Sequence, residues 1–232
     1  ESLFGQYWPD NVLRDIIYNP VDLTRFRPCP EHRARVRREL GLSDITRVVG
    51  AVGRLDVQKQ PLKILDAFER LLVYQPAAVL VFVGDGPLRS SLIEMIDAKG
   101  LNDQVLVLNF RDDIEALFAA FDVHVLMSHR EGFGMVTAEA LACGVPVVAT
   151  RVPGTEEVVS GCDAGRLVAS GDVDAAASAL AQFLEFSPEA REELGEVAQK
   201  HVASHFSYQS WQWKTKHFYQ NVSCQRNKEL SF

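Results

Sequence analysis

The stretch "DVHVLMSHREGFGMVTAEALACGVPVVAT", residues 122–150, decides how the chain is read. Asp122 to Ser128 is an apolar run of strand length. Glu131-Gly132-Phe133-Gly134 then turns the chain, residues 135–143 read as a short helix ended by Gly144, and "VPVVAT" is a second strand. Strand, turn, helix, strand is one βαβ unit, whose strands run parallel. A glycine pair around an aromatic, placed just before a helix, also leaves backbone N–H groups open to an approaching ligand. A tight turn with no ligand would use the same glycines.

The alternation continues on both sides. "RVVGAVGRL", "AAVLVFVG" and "QVLVLNF" precede the unit as strands and "GRLVAS" follows it. Between them, residues 61–74 carry Leu62, Leu65, Phe68, Leu71 and Leu72 on one helical stripe. Further helices are expected at Pro30 to Leu40, Pro87 to Lys99, within "DDIEALFAAF" with Asp112 and Asp113 as caps, near residues 154–160, over 172–185, from Ser187-Pro188, and after Ser207. Arg33, Arg35, Arg37 and Arg38 of the first helix could form a phosphate patch, but their spread around the helix reads rather as a solvated face. The predicted fold is α/β, a Rossmann-like doubly wound parallel sheet with right-handed crossovers. Ligands in such sheets bind outside the carboxyl ends of the strands. That points to the loops at 54–60, 109–113 and 128–134.

Composition narrows the partners. The chain has 232 residues and a net charge of −7, which argues against a general nucleic-acid binder. Its four cysteines are scattered with no C-x-x-C and no zinc-like spacing, so reduced thiols in the cytoplasm are expected. No apolar run is long enough to span a membrane, and no signal peptide is visible. The opening segment shows no clear period, and Phe4, Tyr7 and Trp8 have no evident partners. A chain that starts at Glu1 in this way is expected to be a piece of a longer protein.

The loops offer a coherent chemistry. The first N–H groups of the helix after Gly134 have no partner within it, and the peptide dipoles leave partial positive charge there. An anion, most naturally a phosphate, fits that end. "GRLDVQK", residues 53–59, adds Arg54 and Lys59 beside the same sheet edge, a planar fork and a mobile point charge. Together they would clamp a diphosphate; taken alone they are two surface cations. Glu131 and Glu139 bracket the turn and are good acceptors for sugar hydroxyls, though two helix-start glutamates look the same. "NFRDD", residues 109–113, offers backbone groups or a side-chain plane to a base, or is a plain loop.

Competing motifs fail. "GDGPLR" has Arg89 where a dinucleotide fingerprint wants its third glycine. A P-loop and a nucleophile elbow are absent. "RDD" lacks the D-x-D shape of metal-dependent sugar transfer. His124 reads as structural, His129 as a weak site candidate, and His201, His205 and His217 as helix residues.

"EGFGMVTAE" followed by "ALACGVPVVAT" resembles the signature of retaining glycosyltransferases with the GT-B fold, of the family 4-like, group 1 type that includes sucrose and sucrose-phosphate synthases. "GRLDVQK" resembles that family's G-R-L-x-x-x-K, "NPVDLTRFRP" its linker with Pro20 in place of glycine, and "VGDGP" and "FSY" also match. The resemblance runs from about residue 17 to 219 and implies the C-terminal, donor-binding half of a two-domain enzyme; the alternative is a non-catalytic nucleotide-sugar-binding module or a fragment without transfer activity. It implies a linker and first helix over 1–40, a nucleotide-sugar-binding domain over 41–205 and a crossing helix over 206–232. The substrate implied is a UDP-, GDP- or ADP-linked sugar, with no metal and no cofactor. The partner implied is an N-terminal acceptor domain, through which peripheral membrane contact would also run. Carried over, Gly53, Arg54, Lys59 and Arg111 lie on the donor. The backbone of Gly132, Phe133, Gly134, Met135 and Val136 holds phosphate and sugar hydroxyls. Glu131 touches the transferred sugar and Glu139 the ribose, with Arg54, Lys59 and Glu131 as the catalytic set. One departure is Pro153-Gly154-Thr155-Glu156, where many members have a Gly-Gly pair before the acidic residue.

Overall fold

The structure, a computed structural model, describes residues 15–229, with side chains up to residue 223. Phe4, Tyr7 and Trp8 lie outside the described residues. In chain order the elements are α1 (Pro30–Glu39), β1 (Val48–Val52), α2 (Pro61–Leu71), β2 (Val79–Val83), α3 (Arg89–Lys99), β3 (Val105–Leu108), α4 (Ile114–Ala120) and β4 (Val123–Leu126). They continue as α5 (Met135–Ala142), β5 (Val147–Thr150), α6 (Pro153–Val159), β6 (Gly165–Val168), α7 (Val173–Glu185), α8 (Pro188–Phe206) and α9 (Tyr208–Glu229). The six strands form one parallel sheet in the order β3-β2-β1-β4-β5-β6. That is the doubly wound order expected from the alternation.

Both faces of the sheet are covered, which explains why its strands are nearly unbroken in apolar character. Along β1, Val48 and Val52 face the layer that includes α4, α5 and α8, and Val49 and Ala51 face the layer of α2, α3 and α7. Ser187 and Ser207 cap α8 and α9 as their types suggest, through Ala190 N–H to Ser187 Oγ at 3.2 Å and Ser210 N–H to Ser207 Oγ at 3.2 Å. The chain enters and leaves at one place: Val21 N–H donates to Phe206 O at 2.7 Å, and Val21 pairs with Ser207.

Three local expectations need correction. Arg37 is not part of a solvated face: it is 1% exposed and donates to Ala120 O, Ser43 O, Asp44 O, Thr46 O and the Asp122 carboxylate. The helix period shows which side a residue occupies, but not that this side packs against α4 and the start of β4. Asp113 stands at the start of α4 without capping it, because its carboxylate is taken by Arg111 and Arg35. The third helix begins at Arg89 rather than Pro87, after a turn in which Arg89 N–H bonds Gly86 O.

His124 is structural. It is fully buried, its Nδ1 lies 3.0 Å from Gly50 O, and the Phe118 ring meets it edge-on. Burial lowers its pKa to about 3, so the folded protein holds it neutral. The unfolded chain protonates it near its ordinary value, so the stability tied to the neutral ring is complete above that value and is lost as pH falls toward 3. His124→Asn is expected to remove part of this acid sensitivity, on the order of a few kcal/mol between neutral pH and pH 3, in denaturant titrations repeated across pH.

Candidate donor-binding site

The strand order reverses between β1 and β4, which are paired neighbours. The loops leaving their carboxyl ends therefore rise side by side, and they are tied together. His129 N–H donates to Gln58 O at 2.7 Å, and Gln58 Nε2 donates to Arg130 O at 2.9 Å. Lys59 Nζ pairs with the Glu131 carboxylate, which also accepts from Ser128 Oγ at 2.6 Å. Glu131 is thus fixed by one residue from each loop. The first loop ends in Gln60, a non-glycine residue at φ 51°, a left-handed backbone that starts α2 and sets the direction of Lys59.

Glycines let other backbones support these loops. A Cβ on Gly84 would lie 2.0 Å from Gly53 O, and one on Gly86 2.5 Å from Leu55 O. Leu55 N–H bonds Asp85 O at 3.0 Å, and Leu88 N–H bonds Leu55 O at 2.8 Å. The "GDGP" segment is therefore the shelf under Gly53 and Arg54. Gly154 does the same for the other loop, since a Cβ there would lie 2.7 Å from Phe133 N and 2.8 Å from Gly132 C. The Pro153-Gly154 departure thus keeps a glycine where the turn needs backbone contact.

The turn itself is open. Gly134, at φ 79°, precedes α5, and among the described residues the N–H groups of Gly132, Phe133, Gly134, Met135 and Val136 have no hydrogen-bond acceptor. Thr137 Oγ1 is fully buried beside Gly134 and also has no partner among them. A buried hydroxyl without a partner is costly, and the run of unclaimed amides beside it offers donors to a ligand. The Phe133 ring turns away, stacked on Tyr18 at 5.4 Å and edge-on to Phe206 at 5.4 Å.

A cleft of about 330 Å³ opens beside the turn, lined by Gly53, Arg54, Phe110, Arg111, Val136 and Glu139, among others. Burial raises the Glu139 carboxyl above its ordinary value, and the charge of Arg25 draws it partly back. Arg54 is largely exposed, and among the described residues its one ion-pair partner is Asp56, at a loose 3.4 Å. The Arg111 guanidinium is held by Asp113 and Glu39, so what it presents to the cleft is a fixed wall. Next to it the Phe110 ring is 72% exposed, an apolar surface with no covering among the described residues. No group of acidic, histidine or cysteine side chains suited to a metal occurs among the described residues.

The structure brings Gly53, Arg54, Arg111, Val136 and Glu139 around one cleft and places Lys59 and Glu131 together beside it. Gly132, Gly134 and Met135 are in the open turn, and Phe133 contributes there only through its backbone. The exposed His129 serves the site through its N–H bond to Gln58 O. Sequence reasoning missed Phe110, Gln58, Ser128, Thr137 and Arg25. The first four lie inside or next to the quoted motifs, whereas Arg25 reaches Glu115 and Asp112 O from across the fold and left no local signal.

The open turn lies at the switch point of a doubly wound sheet, where proteins of this α/β class bind their ligands. Residues 32–201 match the family described as Glycosyl transferases group 1. The chain belongs to that family, and its fold matches GT-B glycosyltransferase structures. It is 32% identical over 196 residues to N-acetyl-alpha-D-glucosaminyl L-malate synthase of Bacillus anthracis, covering 84% of this chain and 48% of that protein. It is 36% identical over 224 residues to D-inositol 3-phosphate glycosyltransferase of Salinispora tropica, covering 89% and 46%. The structure of Anabaena HepE in complex with UDP superposes with a TM-score of 0.79 at 27% identity, covering 89% of this chain and 57% of that one. The UDP-glucose complex of the same protein gives a TM-score of 0.77 at 28% identity, covering 90% and 57%. The chain spans about half the length of the curated relatives it matches.

Gly154→Ala tests the support of the turn. The added methyl meets backbone atoms of residues 131–133, which cannot swing aside as a side-chain tip would. A loss of roughly 1–3 kcal/mol is expected in chemical denaturation, as for other overpacked sites.

Proposed function

We propose that this chain is the donor-binding half of a retaining, metal-independent hexosyltransferase. Its ligand is a nucleotide-diphosphate sugar carried on UDP, GDP or ADP, with no separate cofactor. The observation that carries the reading is the open run of amides from Gly132 to Val136 at the start of α5, flanked by Arg54 and Lys59. The neighbours bound to UDP and UDP-glucose support a sugar nucleotide as the ligand. In this reading residues 1–40 are linker and first helix, 41–205 bind the donor, and 206–232 cross to an N-terminal acceptor domain. That domain would also carry any peripheral contact with a cytoplasmic membrane surface. Because the chain spans about half of its relatives, the reading for this chain alone is binding without transfer.

The chemistry follows from charge. As the bond between the anomeric carbon and the phosphate oxygen breaks, negative charge grows on the leaving diphosphate. Arg54, Lys59 and the amides of the turn meet that charge from fixed positions and stabilise the transition state more than the ground state. Before binding, Glu131 holds the Lys59 ammonium in place; the diphosphate then shares it, and the Glu131 carboxylate turns to hydroxyls of the transferred sugar. Glu139, on the cleft wall, accepts from the ribose hydroxyls, and the Phe110 and Arg111 side chains border the base.

Calorimetry of the chain with UDP, GDP and ADP tests the reading, with saturable binding of at least one expected and no binding of any contradicting it. Arg54 is exposed, so Arg54→Ala is expected to change stability by no more than about 0.5 kcal/mol. In the full-length enzyme the same change is expected to lower turnover by about 10²–10³-fold, the usual effect of removing one such donor. Equal turnover would end the assignment of Arg54.

Glu139 gives the pH dependence. Its folded-state pKa is raised by burial, so as pH falls the carboxylate is lost earlier than an exposed one would be, and with it the acceptor for the ribose. Affinity for the nucleoside diphosphate is expected to weaken as pH falls through that raised value. Glu139→Gln is expected to bind more weakly at neutral pH and to keep only the slope due to the diphosphate's own protonation. Identical slopes in the two proteins would remove Glu139 from the ligand.

A further inference from the structure

At the opposite edge of the sheet, where the strands begin, lies a second cavity, of about 290 Å³. Arg33, Phe121, Cys143, Pro146, Pro188 and Arg191 are among its walls. Its polar floor is Asp122, whose side chain is 2% exposed. This one carboxylate accepts from Arg33 Nη2 at 2.7 Å, Arg37 Nη2 at 2.8 Å, Arg191 Nη1 at 3.0 Å and the Val48 N–H at 2.8 Å.

The charges at the floor do not balance. Three guanidinium groups converge on one buried carboxylate; Glu192 lines the cavity from an exposed position, and the neighbouring Glu189 and Asp44 are exposed. Arg37 is saturated with backbone carbonyls. The other two are not: among the described residues, Arg33 Nε and both Nε and Nη2 of Arg191 have no acceptor. These two line the cavity, with side chains 33% and 16% exposed. Burial lowers the pKa of Arg191, Asp122 draws it up, the charges of Arg47 and Arg33 press it down again, and Glu189 offsets them in part. A cluster that served only to join α1, β4 and α8 would gain by matching its charges.

We propose that this cavity binds the phosphate group of a small organic phosphate, held by Arg191 and Arg33. Guanidinium groups suit a phosphate because their N–H groups match its oxygens in a planar fork. Ala119, Phe121, Val145, Pro146 and Pro188 supply an apolar wall for the organic body. The site is distinct from the donor cleft: the two lie at opposite ends of β4, whose four residues alone span roughly 13 Å at the rise of an extended strand.

Arginine side-chain NMR of the full chain, titrated with inorganic phosphate and with glycerol 1-phosphate, tests this. The Nε–H signals of Arg191 and Arg33 are expected to shift saturably, with glycerol 1-phosphate binding more tightly than inorganic phosphate. Arg191→Gln is expected to weaken that binding tenfold or more, the usual cost of a lost charged hydrogen bond, while UDP, GDP or ADP still moves the Arg54 signal. Arg54→Ala is expected to leave the Arg191 response unchanged, so this site and the donor site succeed or fail separately. Arg191 and Arg33 signals that stay still at about 20 mM phosphate, far above a useful affinity, would overturn the proposal. So would an Arg191→Gln protein of unaltered affinity; if that variant does not fold, the titration of the unsubstituted chain decides alone.

Discussion

Five consecutive amides, those of Gly132 to Val136, meet no acceptor among the described residues, and the candidate site is built on them. A loop left to itself closes its N–H groups on nearby carbonyls, because an unmet donor is costly once shielded from water. Here the turn from Gly132 to Val136 is denied that outcome by restraints on both sides. Lys59 and Ser128 hold Glu131 ahead of it, and α5 begins within it, at Met135. Gly154 brings α6 against its back, close enough that even a methyl group would collide with backbone. The amides stay open because their surroundings leave them nowhere else to go.

The same logic explains the glycines. "GDGP" looks like a broken nucleotide fingerprint, yet its glycines bring β2's exit against the backbone of Gly53 and Leu55. Glycine therefore acts twice at this sheet edge, once to free backbone for a ligand and once to let backbone rest on backbone. The aromatic group of Tyr18, Phe133 and Phe206 adds a third support, where the chain enters and leaves the domain. The turn is thus packed against the segments that lead away from the domain.

The sheet was largely legible in the sequence because its signals are local. Apolar runs, glycine stops and proline starts each act within a few residues, and a parallel sheet follows from their alternation. Burial of charge was not legible. Arg37 and Arg38 look alike in the string, and only the placement of α1 beside Asp122 makes one of them a core residue. At the site, Arg54, Lys59, Glu131 and Glu139 stood out by type and spacing. Gln58 and Ser128 did not, because an amide and a hydroxyl near a turn are ordinary until the facing loop is known. The ion pairs of Arg111 with Glu39 and Asp113, which fix the plane of its guanidinium at the cleft wall, were likewise not visible in the string.

The most direct measurement of the central claim is a backbone amide NMR titration of this chain with pyrophosphate, which carries the diphosphate and nothing else. The account expects the largest downfield shifts at the amides of residues 132–136, saturating together. Shifts concentrated elsewhere, or amides in this turn that stay where they were, would contradict it.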